Sequence, residues 1–118
     1  MIINAEKIGT AIVARIQGEL DMANADQLRA SIDEKLDQYE TIRDVYLICD
    51  AVPFIDSSGL AVLLGRYRKL EERGGKLFIA NPSPQARRVM ELSGLSKLVG
   101  ICDNWNPADL QQRGVTNG

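Results

Sequence analysis

Apolar and polar positions alternate, then recur at helical spacing, then alternate again along this chain of 118 residues. Residues 2–7 (IINAEK) and 10–16 (TAIVARI) are β-branched and alternate enough to predict two short strands joined by a turn at Gly9. From about residue 23 to 39, Ala25, Leu28, Ile32 and Leu36 recur at helical spacing with charges between them. That stripe predicts a helix with one buried face, and either Asp21 or Asn24 is placed to cap it. Residues 44–49 (DVYLIC) are apolar toward both sides, as in a central strand of a sheet covered on two faces. Leu60, Leu63, Leu64, Tyr67 and Leu70 mark a second helix that stops at Gly74-Gly75, where glycine takes the left-handed conformation. A fourth strand is expected over residues 76–80 (KLFIA), followed by the turn Asn81-Pro82-Ser83-Pro84. Pro84 suits the first turn of a third helix, whose expected apolar face is Ala86, Val89, Met90 and Leu92 and which Gly94 stops. A short fifth strand over 98–102 and a last helix over 107–112 complete the pattern.

Strands alternating with helices predict an α/β fold: a four- to five-stranded, mostly parallel or mixed sheet with about four helices. The expected domain spans residues 1–113, with 114–118 as a frayed C-terminal tail. Repeats, linkers and low-complexity stretches are absent from the sequence. A chain of this length buries one core without staples, and 45% apolar with 25% charged residues is ordinary globular composition.

Charge and residue usage narrow the chemistry. A formal net charge of −2 argues against nucleic acid as the main partner, because a phosphate backbone demands a basic face. No apolar run approaches the roughly 20 residues that span a bilayer. Residues 1–7 lack the pattern of a secretory signal, so a cytoplasmic location is expected. Cys49 and Cys102 both lie in strand-like apolar surroundings and read as buried, reduced thiols. There is no histidine, which removes Ser-His-Asp and Cys-His catalysis and every histidine-ligated metal site. No catalytic residue, metal ligand or cofactor is assigned. The basic residues Arg66, Arg68, Lys69, Arg73 and Lys76 are interrupted by Glu71 and Glu72 and are expected to form a solvated helix face.

The run Phe54-Ile55-Asp56-Ser57-Ser58-Gly59-Leu60 places an acid and two hydroxyls where an apolar strand and its loop give way to a helix. A helix start exposes unpaired N–H groups and the positive end of the helix dipole. Capping is the common role for Ser and Asp there, and Gly59 fits a close backbone approach. An outward hydroxyl at the same place is also a candidate phosphate acceptor. Residue chemistry alone leaves both roles open.

The stretch FIDSSGLAVLLGRYRKLEERGGKLFIANPSP, followed by VMELSGL, resembles the anti-sigma-factor antagonists of the STAS domain family. More narrowly it is similar to the sporulation type that releases sigma-F, and Gly18-Glu19-Leu20-Asp21 matches the G-E-L-D of that family. Met22-Ala23 depart from the histidines of several relatives, and Ala61 stands where glycine is common. The resemblance implies a partner switch. The unphosphorylated antagonist binds an anti-sigma factor that is also an ATP-dependent serine kinase, and the sigma factor is displaced. Phosphorylation of the serine after the aspartate, here Ser57, abolishes that binding, and a serine phosphatase restores it. Asp21, Asp56, Ser58 and Gly59 are carried over as the residues that shape the partner-binding surface. Asp21 and Asp56 both end elements that a parallel sheet would open onto one edge, although Asp21 is equally placed as a helix cap. The helix dipole and open N–H groups are expected to offset part of the added charge. Two rival readings are a general-stress-type signalling module with the same serine switch and a small nucleotide-binding protein. Against the second stands the lack of a G-x-x-x-x-G-K-[ST] loop.

Overall fold

The computed structural model describes residues 1–110. Its strands and helices follow one another as β1 (Ile2–Ile8), β2 (Ala11–Gln17), α1 (Ala25–Gln38), β3 (Asp44–Ala51), α2 (Ser57–Glu72), β4 (Leu77–Ala80), α3 (Pro84–Ser93) and β5 (Gly100–Cys102). A 3₁₀ turn over Leu95–Lys97 precedes β5, and a further helix opens at Pro107. The expected end of that helix at 112, the boundary at 113 and the tail 114–118 lie outside the described residues.

The five strands lie side by side in chain order. β1 and β2 form an antiparallel hairpin turning at Gly9-Thr10, and β2, β3, β4 and β5 run parallel to one another. The sheet is therefore mixed, with β3 at its centre as its two-sided apolar pattern predicts. Each helix bridges neighbouring parallel strands in the same direction, so all three lie on one side of the sheet. Alternation along the strands makes this explicit. Ile12, Ala14 and Ile16 of β2 and Val45, Leu47 and Cys49 of β3 share a core with Leu28, Ile32 and Leu36 of α1, Val62, Leu63 and Leu70 of α2, and Ala86 and Met90 of α3. The intervening residues Ala11, Val13 and Tyr46 belong to a second, smaller core with Phe78 and Trp105. There Tyr46 stacks between Phe78 at 4.4 Å and Trp105 at 4.8 Å, so Trp105 is a packing residue.

Several expectations shift for physical reasons. α1 starts at Ala25 rather than residue 23, because Asp21 holds the preceding residues in a turn. Asn24 occupies the N-cap position without a side-chain capping bond, and its Nδ2 donates instead to the Glu19 carbonyl. β5 starts at Gly100 because the 3₁₀ turn takes up the chain before it. Leu92, expected on the buried face of α3, is 76% exposed. α2 buries Val62 and Arg66 beside Leu63 and Leu70, whereas Leu60, Leu64 and Tyr67 are half-buried. A helix packed against both the sheet and α1 buries a different arc from the one that leucine spacing marks. Gly74, at φ 75, supplies the left-handed residue just past Arg73, the C-cap of α2.

The solvated basic face is also corrected. Arg66 is 8% exposed, and its Nη1 lies 3.3 Å from Asp33 Oδ2 on α1, while Lys69 Nζ lies 3.2 Å from Asp33 Oδ1. These are ion pairs by distance, yet Asp33 Oδ1 and Arg66 Nε and Nη1 lack hydrogen-bond geometry. Arg73 donates to the carbonyls of Leu36 at 2.6 Å and Tyr39 at 3.1 Å, satisfying the C-terminal end of α1. Arg68, in contrast, is exposed.

Candidate functional site: the edge that carries Ser57

Two loops meet at the C-terminal edge of the parallel strands: the one from β2 to α1 and the one from β3 to α2. Leu20 and Ile55 form an isolated parallel bridge between them. Leu20 N–H donates to the Phe54 carbonyl at 2.9 Å, and Asp56 N–H donates to the Leu20 carbonyl at 3.2 Å. Asp21 and Asp56 thus open onto one edge, as the order of elements predicts.

Asp56 is the N-cap of α2. Its Oδ1 accepts from Ser58 N–H at 2.8 Å and Gly59 N–H at 3.1 Å. Its Oδ2 reaches across to accept from Met22 N–H at 3.1 Å. One carboxylate therefore caps a helix and clamps the neighbouring loop. Asp21 does comparable local work: its Oδ1 accepts from the N–H groups of Ala23 at 3.0 Å and Asn24 at 3.2 Å. Of the two capping candidates for α1, Asp21 supplies the side-chain bonds.

Two of the N–H groups expected to be open at the start of α2 are already occupied. Ser58 and Gly59 give theirs to Asp56, so a phosphate on Ser57 would find the dipole but not those donors. Ser57 is exposed at the first helical position, whereas Ser58 is half-buried. Gly59 is buried, and a Cβ there would lie 2.5 Å from the Leu20 carbonyl oxygen and 2.7 Å from Leu20 Cγ. Its lack of a side chain lets the first turn of α2 touch the backbone of the other loop. It shapes the surface from beneath.

Sequence reasoning missed Gln85. From the start of α3 its Oε1 accepts from Ile55 N–H at 3.0 Å and its Nε2 donates to the Ile55 carbonyl at 3.2 Å. This two-point amide clamp fixes the loop just before Asp56. No local signal marks it, since a glutamine near a helix start usually faces water. α3 is capped by Ser83, whose Oγ accepts from Ala86 N–H at 3.1 Å, so Gln85 sits on a well-anchored first turn.

Titration adds little chemistry. Burial, and then the adjacent Asp50 charge, push the Cys49 thiol up to about 12, which leaves it protonated and unreactive. Tyr67, whose hydroxyl donates to Glu71 at 2.6 Å, is raised chiefly by that hydrogen bond. No disulfide joins the cysteines. Among the described residues no helix is long and apolar enough to cross a membrane.

Comparison with known proteins places the fold. Residues 3–108 match the STAS domain family. The chain is 36% identical over 93 residues to the anti-sigma F factor antagonist of Paenibacillus polymyxa, covering 79% of each chain. Its fold superposes on the unphosphorylated form of the anti-sigma factor antagonist SpoIIAA with a TM-score of 0.81 at 31% identity, covering 96% of this chain and 97% of that one. The phosphorylated form of the Bacillus cell fate determinant SpoIIAA matches with a TM-score of 0.75 at 30% identity, covering 94% and 98%. The chain belongs to the STAS domain family, and within it stands beside the anti-sigma F factor antagonists in both sequence and fold.

Proposed function

We propose that this protein is an anti-sigma factor antagonist of the sigma-F type, switched by phosphorylation of Ser57. Unphosphorylated, it binds an anti-sigma factor that is also a serine kinase, and the sigma factor leaves. Phosphorylated, it does not bind, and a serine phosphatase resets it. It works in the cytoplasm as a kinase substrate and regulatory binding protein rather than as an enzyme.

The observation that carries this reading is the difference between the two adjacent serines. Ser57 stands exposed on the first turn of a helix whose cap and loop are fixed from three directions, and Ser58 is half-buried behind it. A kinase needs a reachable hydroxyl, and a switch needs that hydroxyl on a surface that does not move. The likeness to antagonists, one of them solved in a phosphorylated form, supports the same role.

Charge is sufficient as the mechanism. A phosphate adds roughly −1.5 to −2 charges. Asp56 already spends its carboxylate on three backbone donors, so the added dianion stays at the surface instead of folding into the cap. A unit-charge repulsion at about 4 Å is worth ~4 kcal/mol near a protein surface. Each 1.4 kcal/mol is about tenfold in affinity, so a like-charged partner surface is excluded without any change of fold. Asp21, Asp56, Ser58 and Gly59 hold the patch in shape around the switch.

Incubation with the cognate anti-sigma factor kinase and ATP, followed by peptide mass spectrometry, tests the assignment. One phosphate is expected on Ser57 and none on the Ser57→Ala variant. Phosphate on Ser58 would overturn it.

A further inference from the structure

Beside Ser57 a groove of about 360 Å³ runs between α2 and the chain after α3. Leu60 and Leu64 of α2 and buried Leu95 line it. Ala61 lies along its rim, and Leu98, 47% exposed, closes the other side. Ser57 stands at one end and Arg68, three helical turns further on, at the other. Arg68 has no ion pair or hydrogen bond among the described residues, although Arg66 and Lys69 on either side of it are both paired. An aliphatic trough with one unpaired cation is an uncommon surface for a protein of net negative charge.

We infer that this groove is the docking site for an aliphatic side chain of the anti-sigma factor, with a neighbouring carboxylate of the same segment paired to Arg68. The inference rests on the proposed function and names the part of the partner that the Ser57 surface receives. Two features select this occupant. The groove is continuous with the switch residue, so whatever binds around Ser57 must lie over it. Its charge is complementary to an acid: with a bare Ser57 hydroxyl the formal charge along the groove is that of Arg68 alone. A phosphate of about −2 on Ser57 turns +1 into about −1 and reverses the preference. A partner segment chosen for its carboxylate is then repelled by the same trough that attracted it. The modification thereby acts along the whole docking surface and not at a single contact.

The test uses the full chain, unphosphorylated, titrated into the cognate anti-sigma factor kinase at two salt concentrations. Ala61→Trp fills the groove from an exposed helix position and is expected to weaken binding at least 30-fold. Arg68→Glu is expected to weaken it about tenfold or more, and Arg68→Gln to flatten its salt dependence. Circular dichroism and thermal melting of all three variants should match the parent, since neither side chain is part of the core. If Ser57→Asp weakens binding while Ala61→Trp and Arg68→Glu bind within twofold of the parent, the switch stands and the groove inference fails. If Ser57→Asp also binds like the parent, the functional reading itself fails. Self-association of the parent that Ala61→Trp abolishes would make a second copy of this chain the occupant and overturn the proposal.

Discussion

Asp56 performs two tasks with two oxygen atoms, and the division of labour between them can be separated experimentally. Oδ1 caps α2 through Ser58 and Gly59, while Oδ2 holds Met22 of the neighbouring loop. In Asp56→Asn the amide oxygen keeps the cap, but the amide nitrogen presents a donor to the Met22 N–H. Two facing donors repel, and a lost hydrogen bond to a charged acceptor is worth about 1.5–3 kcal/mol. The expected result is faster hydrogen exchange at Met22 with Ser58 and Gly59 still protected. Equal loss at all three amides would show that the cap and the clamp form one unit that cannot be separated. Gly59 belongs to the same argument, because the approach of Leu20 to the helix start leaves no room for a methyl group. These residues position the surface, and of its two serines Ser57 is the exposed one.

At the scale of elements, α1 and α2 are joined at three levels along their length. Asp56 to Met22 ties their N-terminal ends, Asp33 to Arg66 and Lys69 their middles, and Arg73 to the Leu36 and Tyr39 carbonyls their C-terminal ends. The two loops that flank Ser57 inherit this register. Arg73→Ala leaves helix-end carbonyls without their donors and is expected to cost about 1–3 kcal/mol in denaturant unfolding. Arg68→Ala, five residues earlier on an exposed site, should stay within about 0.5 kcal/mol. Similar costs for the two would mean that Arg73 contributes no more than a surface cation. Composition could not distinguish these arginines. Their spacing marks a charged stripe, and only the packing of α2 on α1 decides which of them are enclosed. For the same reason Leu92 is exposed although it falls on the helical stripe of α3, while Arg66 is buried although it is charged. Strands, helix centres and the hairpin at Gly9 were legible because hydrophobic period and turn chemistry are local. Gln85 was not, because its amide pairs with a residue 30 positions away.

At the scale of the whole molecule, chain-order strands and helices on a single face leave the loop before Ser57 at one end of the sheet. The resemblance to STAS antagonists was legible in FIDSSGL and its surroundings, and the family match bears it out. The sequence could not say that Asp56 would also reach across to Met22, nor that a groove ending in Arg68 would begin at Ser57. Both follow from tertiary contacts. On the proposed reading, a phosphate on Ser57 would be a surface charge on an unchanged body. The most direct measurement is the affinity of the anti-sigma factor kinase for the unmodified protein and for the protein stoichiometrically phosphorylated on Ser57, by titration calorimetry. A loss of about 100-fold or more is predicted, with amide spectra unaltered away from the start of α2. Equal affinity for the two forms would contradict it.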